Sequence, residues 1–208
     1  MTGMSATPVV HVVDDDDSLR TALLRLLEAA GFDAKGYGST GEFLLRPPPD
    51  RPGCVLLDMR LPGPSGLDLQ EAMQRRGIAT PVVFLTGHAS VANSVQAMKA
   101  GAVDLLTKPV ERDVLLEALQ RAIARDASAR AARDSAHRLR AAIASLTPRE
   151  REVFDLVAAG RLNKQIAAEL GIAERTVKLT RAHVMEKLGV DSAAELGSLA
   201  ERLRQLVV

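Results

Sequence analysis

Three acidic positions early in the chain have the types and spacing to do chemistry. Asp14 and Asp15 follow the run Pro8-Val9-Val10-His11-Val12-Val13, and Asp58 follows Cys54-Val55-Leu56-Leu57. Both runs are short, apolar and rich in β-branched residues, the pattern of strands buried in a parallel sheet. Pro81-Val82-Val83-Phe84-Leu85 ends at Thr86, and the run 103–106 leads to Lys108-Pro109. Three carboxylates, a hydroxyl and an ammonium thus end four strands on one edge, where open α/β sheets bind ligands. Clustered carboxylates repel and raise one another's pKa. A divalent cation relieves that, and oxygen-only ligands favour Mg2+, which leaves positions for phosphate oxygens. One carboxylate can then attack phosphorus in line and become an aspartyl phosphate. Lys108 and Thr86 stand where they can neutralise and hydrogen-bond the transferred group. Taken singly, Asp14 to Asp17 read as a solvated acidic turn and Lys108-Pro109 as a loop. The shared edge is what argues for a site.

The elements that must position these groups alternate. Helical patterns fall at 19–30, closed by Gly31, and at 40–45, 67–75 and 91–100, the last closed by Gly101. A fifth is carried by Leu115, Leu119, Ala122 and Ile123, and 32–37 reads as a weak strand. Five βα units predict an α/β fold, a doubly wound five-stranded parallel sheet. Residues 127–144 differ: eight of the eighteen are alanine. This is helix-forming without a wide apolar face, and reads as a linker extending the fifth helix or as a short dimerising helix.

The last 63 residues carry no strand signal. Thr147-Pro148-Arg149-Glu150 is a capping residue, a first-turn proline and a third-position glutamate. That predicts a helix at 148–159, ended by Gly160. Asn163 is expected to cap a helix at 164–170, Gly171 to stop it, and a third helix to run over 174–188. Ser192 caps a fourth, to about Leu206. The short helices around Gly171-Ile172-Ala173 form a helix-turn-helix pattern. The expected domains are therefore 7–125, a helical linker at 126–143, and an all-α domain of four helices at 144–208.

The 208-residue chain has a net charge of +1, distributed unevenly. Residues 1–126 hold 16 acidic and 13 basic side chains, and 127–208 hold 10 and 14. An acidic front and a basic back suggest that the second domain faces nucleic acid. The single cysteine, Cys54, excludes a disulfide framework or a cysteine zinc cluster. No apolar run approaches the roughly 18 residues of a membrane span, and the first ten residues do not read as a signal peptide. A cytoplasmic protein without membrane contact is expected.

Val12-Val13-Asp14-Asp15, Leu57-Asp58-Met59-Arg60-Leu61-Pro62-Gly63, Leu85-Thr86-Gly87-His88, Ala97-Met98-Lys99-Ala100-Gly101-Ala102 and Thr107-Lys108-Pro109-Val110 resemble the receiver domain of two-component response regulators. The later segments Leu146 to Val153, Asn163-Lys164-Gln165-Ile166-Ala167 and Thr176-Val177-Lys178 resemble the LuxR-type helix-turn-helix. Together the layout is similar to the NarL/FixJ class. The resemblance implies that Asp58 is the phosphoacceptor. It implies that Asp15, Asp58 and the backbone carbonyl of Arg60 bind Mg2+ with help from Asp14, and that Lys108-Pro109 is cis. Thr86 and Lys108 would contact the phosphoryl group. A sensor histidine kinase would donate it, and promoter DNA and RNA polymerase would be further partners. Activation would produce a homodimer, through change in residues 89–110, or would free the DNA-binding half.

In the DNA-binding half, helix 174–188 would enter the major groove. Thr176, Lys178, Leu179, Thr180, Arg181 and Ala182 are the candidate contacts. Lys178 or Arg181 would pair with guanine, Leu179 would touch a thymine methyl, and Lys164 would hold a phosphate. Val177, Val184 and Leu188 are expected in the core. Leu196, Leu199 and Leu203 offer a dimer surface or pack on their own domain. Three positions depart from the family. Leu105 stands where receivers often carry an aromatic switch, so Thr86 would act through a backbone shift of 87–100. Ala173 replaces a Ser cap worth about 1 kcal/mol. Thr180 replaces a His. Two other readings stay open: a constitutive DNA-binder with a silent receiver, and an Mg-dependent aspartyl phosphatase. The latter would need an acid two residues after Asp58, where Arg60 stands.

Overall fold

The computed structural model describes residues 7–46, 48–87 and 91–205. Five parallel strands run in the order β2-β1-β3-β4-β5: β1 Val9–Val13, β2 Asp33–Tyr37, β3 Gly53–Asp58, β4 Val82–Thr86 and β5 Asp104–Thr107. Between them lie α1 Asp17–Ala29, α2 Thr40–Leu45, α3 Gly66–Arg75 and α4 Val91–Lys99. Side chains alternate across the sheet. Val10, Val12, Cys54, Leu56, Val83 and Leu85 face one core with Leu27 and Leu119. Val13, Val55, Leu57 and Phe84 face the other with Phe43, Leu69 and Met73. Every residue of β1, β3 and β4 is buried, as the continuous apolar runs require. The doubly wound sheet is the one the sequence predicts.

The Asp-rich turn divides its labour. Asp16 caps α1, its side chain accepting from Ser18 N and Leu19 N. The Leu19 N–H is the main cause that holds its carboxyl below the usual range. Asp17 pairs with Arg20. Helix α5, Arg112–Ala144, is one uninterrupted helix of 33 residues. Leu115, Leu119 and Ala122 pack on the sheet. Asp126, 1% exposed, accepts from the Gly53 backbone N–H at 3.0 Å and from Arg130 Nε at 2.8 Å. Arg130 also pairs with Asp50. The chain divides into two compact units between Arg130 and Ala131.

The second unit contains α6 Pro148–Ala158, α7 Asn163–Leu170, α8 Glu174–Leu188 and α9 Ala193–Gln205. Its core joins Ile143 at the end of α5 to Val153, Phe154, Ile166, Val177, Val184, Leu196 and Leu199. The Thr147–Glu150 capping box forms as expected. Two expectations are corrected. Asn163 does not cap α7: the cap is Leu162, whose N–H is satisfied by Gln165 Oε1 at 2.9 Å, and Asn163 begins the helix. Leu196 and Leu199 are buried in their own core, so these two take the own-domain role and not that of a dimer surface, and Leu203 packs half-buried against that core. Leu206, the expected end of α9, and His88 to Ser90, within the stretch expected to shift, lie outside the described residues.

Asp126→Ala should leave the buried Gly53 N–H without its acceptor and Arg130 with Asp50 as its remaining partner. A loss of about 3 kcal/mol in unfolding free energy, read by urea titration, is expected. Asp126→Asn should cost less, because an amide oxygen still accepts from Gly53.

Candidate functional site

The carboxyl ends of β1, β3, β4 and β5 bring Asp14, Asp58, Thr86 and Lys108 together. Asp14 is 1% exposed, Asp58 9% and Thr86 2%, while Asp15 is exposed. One oxygen each from Asp14, Asp15 and Asp58 falls within 4.8 Å of the others. Lys108 Nζ donates to Asp14 Oδ2 at 2.7 Å and to Asp58 Oδ2 at 2.8 Å. Burial pulls the Lys108 pKa down, yet the two carboxylates outweigh it and hold the ammonium above its usual value. The other oxygens are held from the backbone: Asp14 Oδ1 accepts from Asp16 N at 2.9 Å, and Asp58 Oδ1 from Arg60 N at 3.0 Å. Asp15 has no hydrogen bond or ion pair among the described residues. The Lys108-Pro109 bond is cis, and Lys108 N donates to Thr86 O at 2.8 Å.

Two supports were not read from the sequence. A Cβ at Gly66 would stand 2.3 Å from the Asp58 carbonyl oxygen, so only glycine lets α3 start this close to β3. Arg20 donates to the Asp14 carbonyl at 2.7 Å. The signal for Arg20 was its place one helical turn beyond the acidic run. Leu105 is half-buried against the cluster that contains Phe84, with no ring to rotate. The all-oxygen donor set fits a hard divalent cation such as Mg2+, and the exposed Asp15 leaves an open side.

In the second unit, Gly171 takes a left-handed conformation (φ +64°) and Ala173 begins α8 with no side-chain cap. Thr176, Lys178, Leu179 and Ala182 are exposed on α8, as is Lys164 on α7. Leu179 keeps 56% of its surface in the open, whereas Val177 and Val184 are fully buried. Lys178 pairs with Glu174 at 3.3 Å. Thr180 and Arg181 are only partly exposed. Thr180 Oγ1 donates back to Thr176 O at 2.9 Å, and Arg181 donates to Asn163 Oδ1 at 3.2 Å. Arg149 donates to Leu170 O at 3.1 Å, bracing the turn. Lys187 donates to Glu150 Oε2 at 2.7 Å and, with the Thr147 N–H, pulls that carboxyl down to about 2.

The doubly wound sheet with its acidic edge is that of a receiver-type domain, followed along the chain by a helix-turn-helix. The comparisons agree. Residues 10–120 match the response regulator receiver domain, and residues 144–200 match the bacterial regulatory proteins of the luxR family. Nodulation protein W of Bradyrhizobium diazoefficiens is 44% identical, covering 97% of this chain and 89% of that protein. The transcriptional regulatory protein FixJ of Azorhizobium caulinodans is 39% identical, covering 92% and 90%. The solved structure of the response regulator StyR superposes with a TM-score of 0.88 at 45% identity, covering 95% of this chain and all of that one. The chain belongs to the two-component response regulators of the NarL/FixJ class, transcriptional regulators that join a receiver to a LuxR-type DNA-binding domain. No described helix is long and apolar enough to cross a membrane.

The Glu150–Lys187 pair has a pH signature. Its carboxyl lies at about 2 when folded against 4.5 ordinarily, so the contribution is whole above pH 4.5 and is lost as pH falls towards 2. Lys187→Met should therefore shift the acid unfolding of the helix-turn-helix to higher pH, as followed by its amide resonances.

Proposed function

We propose that the protein is a phosphorylation-dependent DNA-binding regulator that accepts a phosphoryl group at Asp58 from a sensor histidine kinase. The observation that carries this is the Lys108 ammonium between Asp14 and Asp58 at the edge of the sheet. The Asp58 oxygen attacks phosphorus as the P–N bond of the kinase phosphohistidine breaks, and the electron pair stays on the leaving nitrogen. Asp58 Oδ1 is already aimed by the Arg60 N–H. Lys108 exchanges a carboxylate for a phosphoryl oxygen, and buried Thr86 offers its hydroxyl to another. Asp14, Asp15, Asp58 and the Arg60 carbonyl would hold Mg2+, which supplies charge neutralisation of the phosphoryl oxygens.

Phosphorylation replaces the single charge of the Asp58 carboxylate with a phosphoryl group carrying nearly two, a net gain of about one negative charge beside a compensated cluster. That shifts an existing equilibrium towards a dimer or towards release of the DNA-binding half. With Leu105 in place of an aromatic switch, Thr86 transmits the change through the backbone that follows β4. The DNA-binding unit presents α8 to the major groove of promoter DNA, with Thr176, Lys178, Leu179 and Ala182 outermost. Arg181 reaches a base only by leaving Asn163, and Thr180 by leaving its own helix backbone, so both rank behind Lys178. Lys164, in the first turn of α7, meets a phosphate. The working units are a receiver at 7–125, a helical linker at 126–143 and a DNA-binding domain at 144–208. The protein acts in the cytoplasm, where RNA polymerase is the downstream partner.

Sedimentation in Mg2+ with and without beryllofluoride, a phosphoryl mimic, tests the switch. A mass shift in the native chain that Asp58→Asn lacks is expected. Absence of beryllofluoride binding overturns the acceptor assignment, and unchanged transcription from Asp58→Asn would establish a silent receiver. Separately, Lys178→Ala should weaken promoter binding and, if Lys178 meets a phosphate instead of a base, flatten the salt dependence by a slope of about 1.

A further inference from the structure

We propose that the cavity beside β1 and β2 in the receiver is a binding site for a small oxyanion, a carboxylate or a phosphate. The cavity has a volume of about 450 Å3 and is walled by His11, Lys35, Gly36, Tyr37, Arg46 and Pro49. That is within the size range of small-ligand sites, about 300–1,000 Å3. Its walls carry two cationic side chains and no carboxylate. The Lys35 side chain has no hydrogen bond or ion pair among the described residues. Arg46 pairs only with Glu42, at 3.6 Å and in the open, where such a pair is worth little. Arg51, the next cation, is engaged with Asp33.

The buried wall supplies a donor with nothing to bond. His11 is 1% exposed, its Nδ1 lies 2.9 Å from the Tyr37 hydroxyl, and its Nε2 is buried without a partner. The Tyr37 hydroxyl has no other hydrogen-bond partner among the described residues. If His11 donated to it, both the phenol proton and the Nε2 lone pair would lack partners. If Tyr37 donates, one group is left over, the Nε2–H. Phe43 stands edge-on to both rings, at 5.6 Å from His11 and 5.3 Å from Tyr37, and fixes their planes. Burial, then the charges of Lys35 and Arg51, push the His11 pKa down to about 4. The ring is therefore neutral at pH 7 in a field short of negative charge. An oxyanion between Lys35 and Arg46 balances the two cations, at a wall whose one unpartnered polar atom is the buried Nε2 of His11.

Tyr37 is the only tyrosine and the chain has no tryptophan, so its ultraviolet fluorescence reports on this cavity alone. Inorganic phosphate and succinate should be titrated separately, without Mg2+, against chloride at matched ionic strength. A saturable change in tyrosine emission with phosphate, succinate or both is expected, and the responsive arm identifies the chemistry. Lys35→Glu/Arg46→Glu, a surface double variant, should raise the half-saturation point roughly tenfold or more. Asp58→Asn should respond like the native chain, which separates this site from the phosphorylation reading. No saturable change in either arm, an equal change with chloride, or an unaltered response in the double variant would overturn the proposal.

Discussion

A single ammonium between two carboxylates is the contact on which the receiver's architecture turns. Unit charges about 4 Å apart at a protein surface interact by about 4 kcal/mol, so Asp14, Asp15 and Asp58 could not share one edge uncompensated. Lys108 answers from β5, two strands from β3 and three from β1 in the order β2-β1-β3-β4-β5. Only a long flexible stem reaches across β4 to both acids, which is why a lysine suits the position better than the rigid fork of an arginine. The rest of the edge follows from that reach. Gly66 lets α3 start against the Asp58 carbonyl, and Asp16 turns the chain into α1 directly after the acidic pair.

The strand that carries Asp58 is fixed at both ends. At its carboxyl end Asp58 meets Lys108; at its start the Gly53 N–H is held by buried Asp126 of α5. Arg130 completes that anchor by pairing with Asp126 and Asp50. The same helix runs on without a break to Ile143, a member of the second core. An alanine-rich stretch with little apolar surface makes sense on those terms. Its first turns are held by polar contacts to the receiver, its last by Leu139 and Ile143, and the middle needs only helix propensity.

Much of this was legible in the sequence because it is written locally. Strand ends are marked where apolar runs stop at Asp14, Asp58, Thr86 and Lys108. The Thr147–Glu150 box and the left-handed Gly171 and Gly189 punctuate the helices. Contacts between distant residues were not legible. Asn163 resembles a cap by type, but Gln165 serves the Leu162 N–H while Arg181, 18 residues away, takes the Asn163 oxygen. Leu196 and Leu199 have the spacing of an interface or of a core, and only the position of α6 decides for the core. Asp126 looks like one more charge in a polar helix, and nothing near it in sequence foretells Gly53, 73 residues earlier.

The basic excess of the second half carries a related lesson about reading charge. Arg149 braces the Leu170 carbonyl, Lys187 holds Glu150, and Arg181 holds Asn163. These cations build the helix-turn-helix before any of them can meet a phosphate. They also bear on the missing cap at Ala173. A lost cap costs α8 about 1 kcal/mol, a sum that hydrogen bonds to charged groups at about 1.5–3 kcal/mol each can offset. Arg181 and Lys187 fasten α8 to the starts of α7 and α6, so the helix is located by its flank and its far end instead of by its first residue. Arg175, Thr176, Lys178, Leu179, Ala182 and His183 are exposed on α8, and they are not what holds the helix in place.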